Sequence, residues 1–106
     1  MAVALICSQA PLDTELGRTL LWRRGFVRHW TARLAEAQEL GRTERPAIVL
    51  IERDLPWAEA LITSLRRDAP GADMAIVVLA RGAVRPVETE LLESGADAVL
   101  RLPPGP

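Results

Sequence analysis

The residues of this chain able to do chemistry are few, and they sit at the ends of apolar runs. Glu52, Arg53 and Asp54 follow Ala47-Ile48-Val49-Leu50-Ile51 and precede Leu55-Pro56, so two carboxylates stand at the mouth of a buried strand. Asp54 has the chemistry to bind a cation or accept a phosphoryl group. An Asp before Leu-Pro is also ordinary turn chemistry, and the turn is the preferred reading. Glu52 reads as a solvated strand-end carboxylate, paired with Arg53, Arg81 or Arg101. Cys7 closes another apolar run and reads as a small core residue rather than a redox sensor. His29 has no partner in sequence, so a structural or surface role outweighs catalysis. One Cys and one His make neither an internal disulfide nor a zinc cluster. No Gly-x-Gly-x-x-Gly follows the first strand, so a glycine-rich phosphate site is not indicated. No metal and no cofactor are expected.

The 106 residues are 49% hydrophobic and 25% charged, with a formal net charge of −1, which suits one compact domain. No apolar run approaches the roughly 20 residues a membrane-spanning helix needs, and no cleavable leader is recognisable, so a cytoplasmic protein is the expectation. All 13 basic residues are Arg and none is Lys. Arg23, Arg24, Arg28 and Arg33 form a local basic cluster that Asp13, Glu15, Glu36 and Glu39 dilute. That pattern reads as a solvated face, and no nucleic-acid contact is expected.

Short apolar runs alternate with amphipathic segments. Val3-Ala4-Leu5-Ile6-Cys7 predicts a buried strand. Pro11 then opens a helix whose face carries Leu12, Leu16 and Leu20 and whose stop is Gly25. Phe26 to Trp30 has a weak strand pattern, and Leu34, Ala37 and Leu40 predict a short helix closed by Gly41. Ala47 to Ile51 is a strand; Trp57, Leu61 and Leu65 recur at helical spacing; Ala75 to Leu79 is a further strand. Pro86 opens a helix with Val87 and Leu91 on its buried face and Gly95 as its stop, and Ala98 to Leu102 makes the last strand.

Five strands and four intervening helices, with strands too apolar to leave a face in water, call for an α/β doubly wound parallel sheet. The flavodoxin-like order 2-1-3-4-5 fits the length, and its ligand crevice lies outside the strand carboxyl ends. Ser8, Gln9, Glu52, Asp54, Leu79, Ala80 and Leu102 fall there.

The stretch Pro46-Ala47-Ile48-Val49-Leu50-Ile51-Glu52-Arg53-Asp54-Leu55-Pro56, then Ala75-Ile76-Val77-Val78-Leu79-Ala80-Arg81-Gly82, then Gly95-Ala96-Asp97-Ala98-Val99-Leu100-Arg101-Leu102-Pro103, resembles the receiver domain of two-component response regulators. Gly25-Phe26 before the second strand fits the same pattern. In that family an acidic pair after the first strand binds Mg²⁺, an Asp ending the third strand takes the phosphoryl group, a Ser or Thr ends the fourth, and a Lys precedes a Pro on the fifth. A hard cation brings donor and carboxylate together, the lysine compensates developing charge, and the hydroxyl holds the installed phosphoryl group.

Carried over by the resemblance, the acidic pair falls on Ser8 and Gln9, the phosphoacceptor on Glu52, the hydroxyl on Leu79 and the lysine on Leu102. Each position departs from the pattern. No shift of register supplies a lysine, since the chain has none. Glu52 would extend its carboxylate about one methylene beyond an Asp, and in-line attack tolerates little misplacement. The family's aromatic switch position falls on Val99. The resemblance therefore implies a degenerate pseudo-receiver. Glu52 as a fixed substitute for the phosphorylated state ranks below its reading as a solvated carboxylate.

Trp57 follows the would-be phosphorylation site and either caps the pocket or anchors a partner; Trp57, Val99 and Arg101 are the candidate interaction residues. Trp22 and Trp30 read as core. Residues 1–102 form the receiver-like domain, and the Pro/Gly-rich 103–106 is a tail or the start of a linker to an output domain in a longer chain. The helix that follows the fifth strand in receivers is missing. Its loss should uncover apolar surface on the fourth and fifth strands, a candidate contact for a protein partner or a second copy. The reading is a phosphorylation-independent interaction or dimerisation module in signal transduction or transcriptional regulation, without catalysis. The alternatives are an unconventional phosphoacceptor using Glu52 or Asp54, and a nucleotide or metabolite sensor using the crevice.

Overall fold

A computed structural model of the chain describes residues 2–12, 25–69 and 73–102. Its strands are β1 (Val3–Cys7), β2 (Val27–Thr31), β3 (Ile48–Glu52), β4 (Ala75–Ala80) and β5 (Ala98–Arg101). Among the described residues there are three helices: α1 (Leu34–Thr43), α2 (Ala58–Asp68) and α3 (Pro86–Glu93). The sheet order is β2-β1-β3-β4-β5 and every pairing is parallel, as expected from the apolar runs. Among the described residues no helix follows β5. The helix expected after Pro11 lies, apart from Leu12, outside the described residues, as do Trp22 and the 103–106 tail.

Period-2 alternation sorts the core into two clusters. Leu5, Cys7, Val49, Ile51, Ile76 and Val78 point to one face, where Ala37 of α1, Leu61, Ile62 and Leu65 of α2 and Leu91 of α3 cover them. The three described helices thus share one side of the sheet. Ala4, Ile6, Leu50, Leu79 and Leu102 gather with Leu12 on the other face. There Ile48 and Val77 are only half-buried, and Leu100 is 46% exposed. Each Leu, Ile or Val side chain fully removed from water contributes about 1.5–3 kcal/mol, so these strands hold the domain together.

Two local expectations change. Gly41 does not close α1; it lies within the helix, which runs on to Thr43. The reason is a close approach, because a Cβ on Gly41 would stand 2.5 Å from Leu65 Cδ2 of α2. Glycine here lets two helices pack rather than ending one. Trp30 is not core but 43% exposed on the edge strand β2. By contrast Gly25 and Gly95 have positive φ, 68° and 127°, at the chain turns where stops were expected.

The Gly95-Ala96-Asp97 motif has a structural task. Asp97 Oδ2 accepts the Ile76 N–H at 2.8 Å and an Arg66 Nη2–H at 2.8 Å. Arg66 also donates to the Gly95 and Met74 carbonyls, each at 2.9 Å. One guanidinium therefore joins the end of α2 to the starts of β4 and β5, which sets the register that brings the strand carboxyl ends level.

Candidate functional site

The register places Cys7 beside Ile51, Glu52 beside Leu79, and Ala80 beside Arg101, so the loops after β1, β3, β4 and β5 meet at one edge. This is the edge at which an open parallel sheet forms its crevice.

At the Mg²⁺ positions implied by the resemblance, the Ser8 hydroxyl and the Gln9 backbone N–H already have partners. Ser8 is fully buried; its Oγ–H donates to the Ala10 carbonyl at 2.6 Å, and its Oγ accepts the Trp30 Nε1–H at 2.9 Å. The exposed Trp30 is thus anchored by its polar end. Gln9 is exposed, and its backbone N–H donates to Glu52 Oε1 at 2.8 Å. The half-buried Glu52 carboxylate ties the loop after β1 to the end of β3. Leu79 and Leu102 lie 2% and 7% exposed in the apolar cluster with Leu50 and Ile6, where neither can hold a phosphoryl oxygen. Among the described residues no three His, Cys, Asp or Glu side chains are grouped to hold a metal ion.

Arg53 and Arg101 go to other partners than Glu52. Arg53, with only 2% of its side chain exposed, donates Nη1–H to Glu88 Oε2 at 2.8 Å, and Arg101 pairs with Glu88 Oε1. Glu88 is itself buried and occupies the third position of α3, from which Oε2 also accepts the Arg85 backbone N–H at 3.1 Å. That is the acidic half of a capping box, so the helix start and the ion pair use the same carboxylate. Asp54 takes the other edge of the Arg53 guanidinium, with Nε to Oδ1 at 3.0 Å and Nη2 to Oδ2 at 3.2 Å. Arg85 approaches Asp54 from the solvent side at 3.7 Å.

The same cations hold the loop after β4 by its backbone. Arg53 Nη2 donates to the Arg81 carbonyl at 3.0 Å, Arg101 Nη1 to the Gly82 carbonyl at 3.1 Å, and Arg53 Nη1 to the Ala83 carbonyl at 3.1 Å. Three successive carbonyls are thus each satisfied by a guanidinium. A buried arginine requires its donors to be matched, and all three of its nitrogens are.

The electrostatics follow from this packing. Hydrogen bonds from Arg53 hold the Asp54 carboxyl below the usual carboxylate range. Burial pushes the Glu88 carboxyl up, but hydrogen bonds from Arg53, the Arg85 N–H and Arg101 outweigh it and hold the group charged below its ordinary range. Asp54, chiefly, and Glu88 raise the Arg53 pKa.

The interaction candidates are dispersed. Trp57 precedes α2 and packs, half-buried, against the main core; Val99 does the same from β5; Arg101 is engaged with Glu88. Glu88 is the site residue that sequence reading missed. Its signal is Pro86-Val87-Glu88, a proline-led helix start with Glu at the third position. His29 stands 3.1 Å from Glu44 at the end of α1, away from this edge. Cys7 is buried, and burial pushes its thiol up to about 12.

No family model and no curated protein matches the chain. Solved structures do. A response regulator protein from Burkholderia pseudomallei, solved with a phosphorylated aspartic acid, calcium ion and citrate, is 22% identical with a TM-score of 0.79, over 99% of this chain and 62% of that one. A two-component response regulator of the LuxR family from Aurantimonas sp. SI85-9A1 is 23% identical with a TM-score of 0.76, over 95% and 74%. A CheY-like response regulator receiver domain protein from Methanospirillum hungatei JF-1 is 20% identical with a TM-score of 0.78, over 99% and 84%. The five-stranded parallel sheet in the order 2-1-3-4-5 is thus that of a response-regulator receiver domain, and this chain has the receiver fold.

Proposed function

We propose that this chain is a phosphorylation-independent pseudo-receiver, a protein-interaction module of signal transduction with no catalysis of its own. The observation that carries the reading is the Arg53–Glu88–Arg101 group and its hold on the carbonyls of residues 81, 82 and 83. In the receivers that the sequence resembles, an installed phosphoryl group is held by a hydroxyl and a lysine. In this chain fixed guanidiniums hold the corresponding loop, and the positive charge comes from arginines rather than a lysine.

Glu52, at the phosphoacceptor position, spends a carboxylate oxygen on the Gln9 N–H, and Asp54 is chelated by Arg53. A hydrogen bond from an N–H or a guanidinium draws charge from a carboxylate and makes it a weaker nucleophile. The held loop presents Val84 at 75% exposure, and Leu92 of α3 and Leu100 of β5 are exposed as well. A protein partner or a second copy would meet exposed side chains of this kind, and Trp57, Val99 and Arg101 remain candidate contacts. An output domain in a longer chain is part of the same proposal.

The test is intact mass and two-dimensional amide NMR after incubation with Mg²⁺ and acetyl phosphate, with light scattering on the same samples. The expected result is unchanged mass, unchanged amide positions for residues 81–85 and one assembly state throughout. A mass gain of one phosphoryl group, accompanied by movement of those amides, would replace the reading with an unconventional phosphoacceptor on Glu52 or Asp54.

A further inference from the structure

At the edge of the sheet opposite Glu52, the turn from α1 into β3 and the end of α2 with the approach to β4 enclose a cleft of about 400 Å³. Leu65 and Met74, 5% and 8% exposed, form its apolar floor. The walls are oppositely charged. Arg42 and Arg45 rise on the β3 side, and Asp68 and Asp73 on the β4 side, all four exposed.

Arg42 already pairs with Glu39, and Asp68 with Arg67. Arg45 and Asp73 have no ion-pair partner among the described residues, and they do not close on each other. An unpaired cation and an unpaired anion therefore face one apolar floor from its two sides. The backbone adds an independent observation. Arg45 has φ 46°, directly after the α1 C-cap Glu44, in the left-handed position that glycine most often fills. Glycine would be the relaxed residue there; an arginine carries steric cost and supplies a guanidinium to the cleft wall.

We propose that this cleft binds a small zwitterion with an apolar body, a free aliphatic amino acid being the fitting class. Its carboxylate pairs with Arg45, with Arg42 as the second cation; its ammonium pairs with Asp73 beside Asp68; its side chain lies on Leu65 and Met74. The volume is at the small end of ligand sites, and an apolar floor with a few convergent charges is their usual composition. The site is separate from the loop held by Arg53, so it stands or falls apart from the pseudo-receiver reading.

The experiment is an amide NMR titration of the full chain with L-leucine, with isovalerate and isoamylamine as probes lacking the ammonium or the carboxylate. The expected result is saturable shifts confined to amides of residues 41–47, 65–69 and 73–75, absent with either single-charge probe at equal concentration. Arg45→Gly should weaken leucine binding by about tenfold or more while its Tm equals or exceeds that of the wild type, and Arg45→Gln should lose the same affinity. The proposal is overturned if leucine gives no saturable shift up to on the order of 10 mM, if either probe binds as well, if the shifts fall at the Glu52 edge, or if both Arg45 variants keep wild-type affinity.

Discussion

The Arg53 guanidinium meets the Glu88 carboxylate at 2.8 Å with 2% and 7% of the two side chains exposed, joining the end of β3 to the start of α3. A buried pair of this kind is held in place by what its loss would strand. Removing either partner takes a short charge-assisted hydrogen bond from a buried group, leaving Glu88 with Arg101 or Arg53 with Asp54, and that loss costs more than the pair itself contributes.

Arg53→Met is therefore expected to destabilise the domain by about 3–5 kcal/mol in urea denaturation, and to speed hydrogen exchange at residues 81–88. Arg53→Met combined with Glu88→Leu should cost less than the sum of the two single changes, because each single change already removes the bond the two side chains share. Additive losses would show that the two side chains do not act as a pair.

Acid should weaken the fold through the same residues. The folded-state carboxyls of Asp54 and Glu88 are held below their ordinary range by Arg53 and, for Glu88, against the upward push of burial. Their stabilisation is fully present above the unfolded values of about 3.9 and 4.3, and is lost as pH falls through the folded ones. Urea midpoints from neutral pH downward should drop across that acidic window, and Glu88→Gln should show a shallower drop from a lower starting point. Equal acid sensitivity in the two proteins would remove Glu88 from the account.

Alkali should act through Cys7. Burial raises the thiol to about 12, so the native state keeps it neutral while the unfolded chain ionises above about 8.5. Stability contributed by the neutral thiol falls as pH rises from the unfolded value toward the folded one, and Cys7→Ala should flatten that decline. Reaction with a soluble disulfide reagent at neutral pH should proceed only as fast as the domain opens. Rapid labelling without denaturant would place Cys7 outside the core.

The approach of α1 to α2 predicts a small residue at position 41. Gly41→Ala gains up to about 1 kcal/mol of helix propensity, but its Cβ would stand 2.5 Å from Leu65 Cδ2, and overpacking in a core typically costs about 1–3 kcal/mol. A net loss in thermal denaturation is expected, and Leu65→Val added to Gly41→Ala should recover part of it. A more stable Gly41→Ala protein would mean that Leu65 yields freely.

Apolar runs were enough to locate the central strands β1, β3 and β4, because burial on both faces demands continuous apolar residues and each run is a local property of the chain; the order 2-1-3-4-5 followed from the chain length and the handedness of crossovers. The composition likewise determined that no lysine can stand beside Glu52. The pairing of charges was not legible in this way. Arg53 has Asp54 as its neighbour in sequence, but its buried partner Glu88 is 35 residues away, and Ser8 meets Trp30 across 22. Gly41 reads as a helix stop until Leu65 is seen against it, and Trp30 reads as core until its strand is seen at the edge. Which carboxylate an arginine reaches depends on strand register and on which groups lose water together. Only the folded sheet decides both: it sends the Arg53 and Arg101 guanidiniums to Glu88 and brings the Gln9 N–H to Glu52.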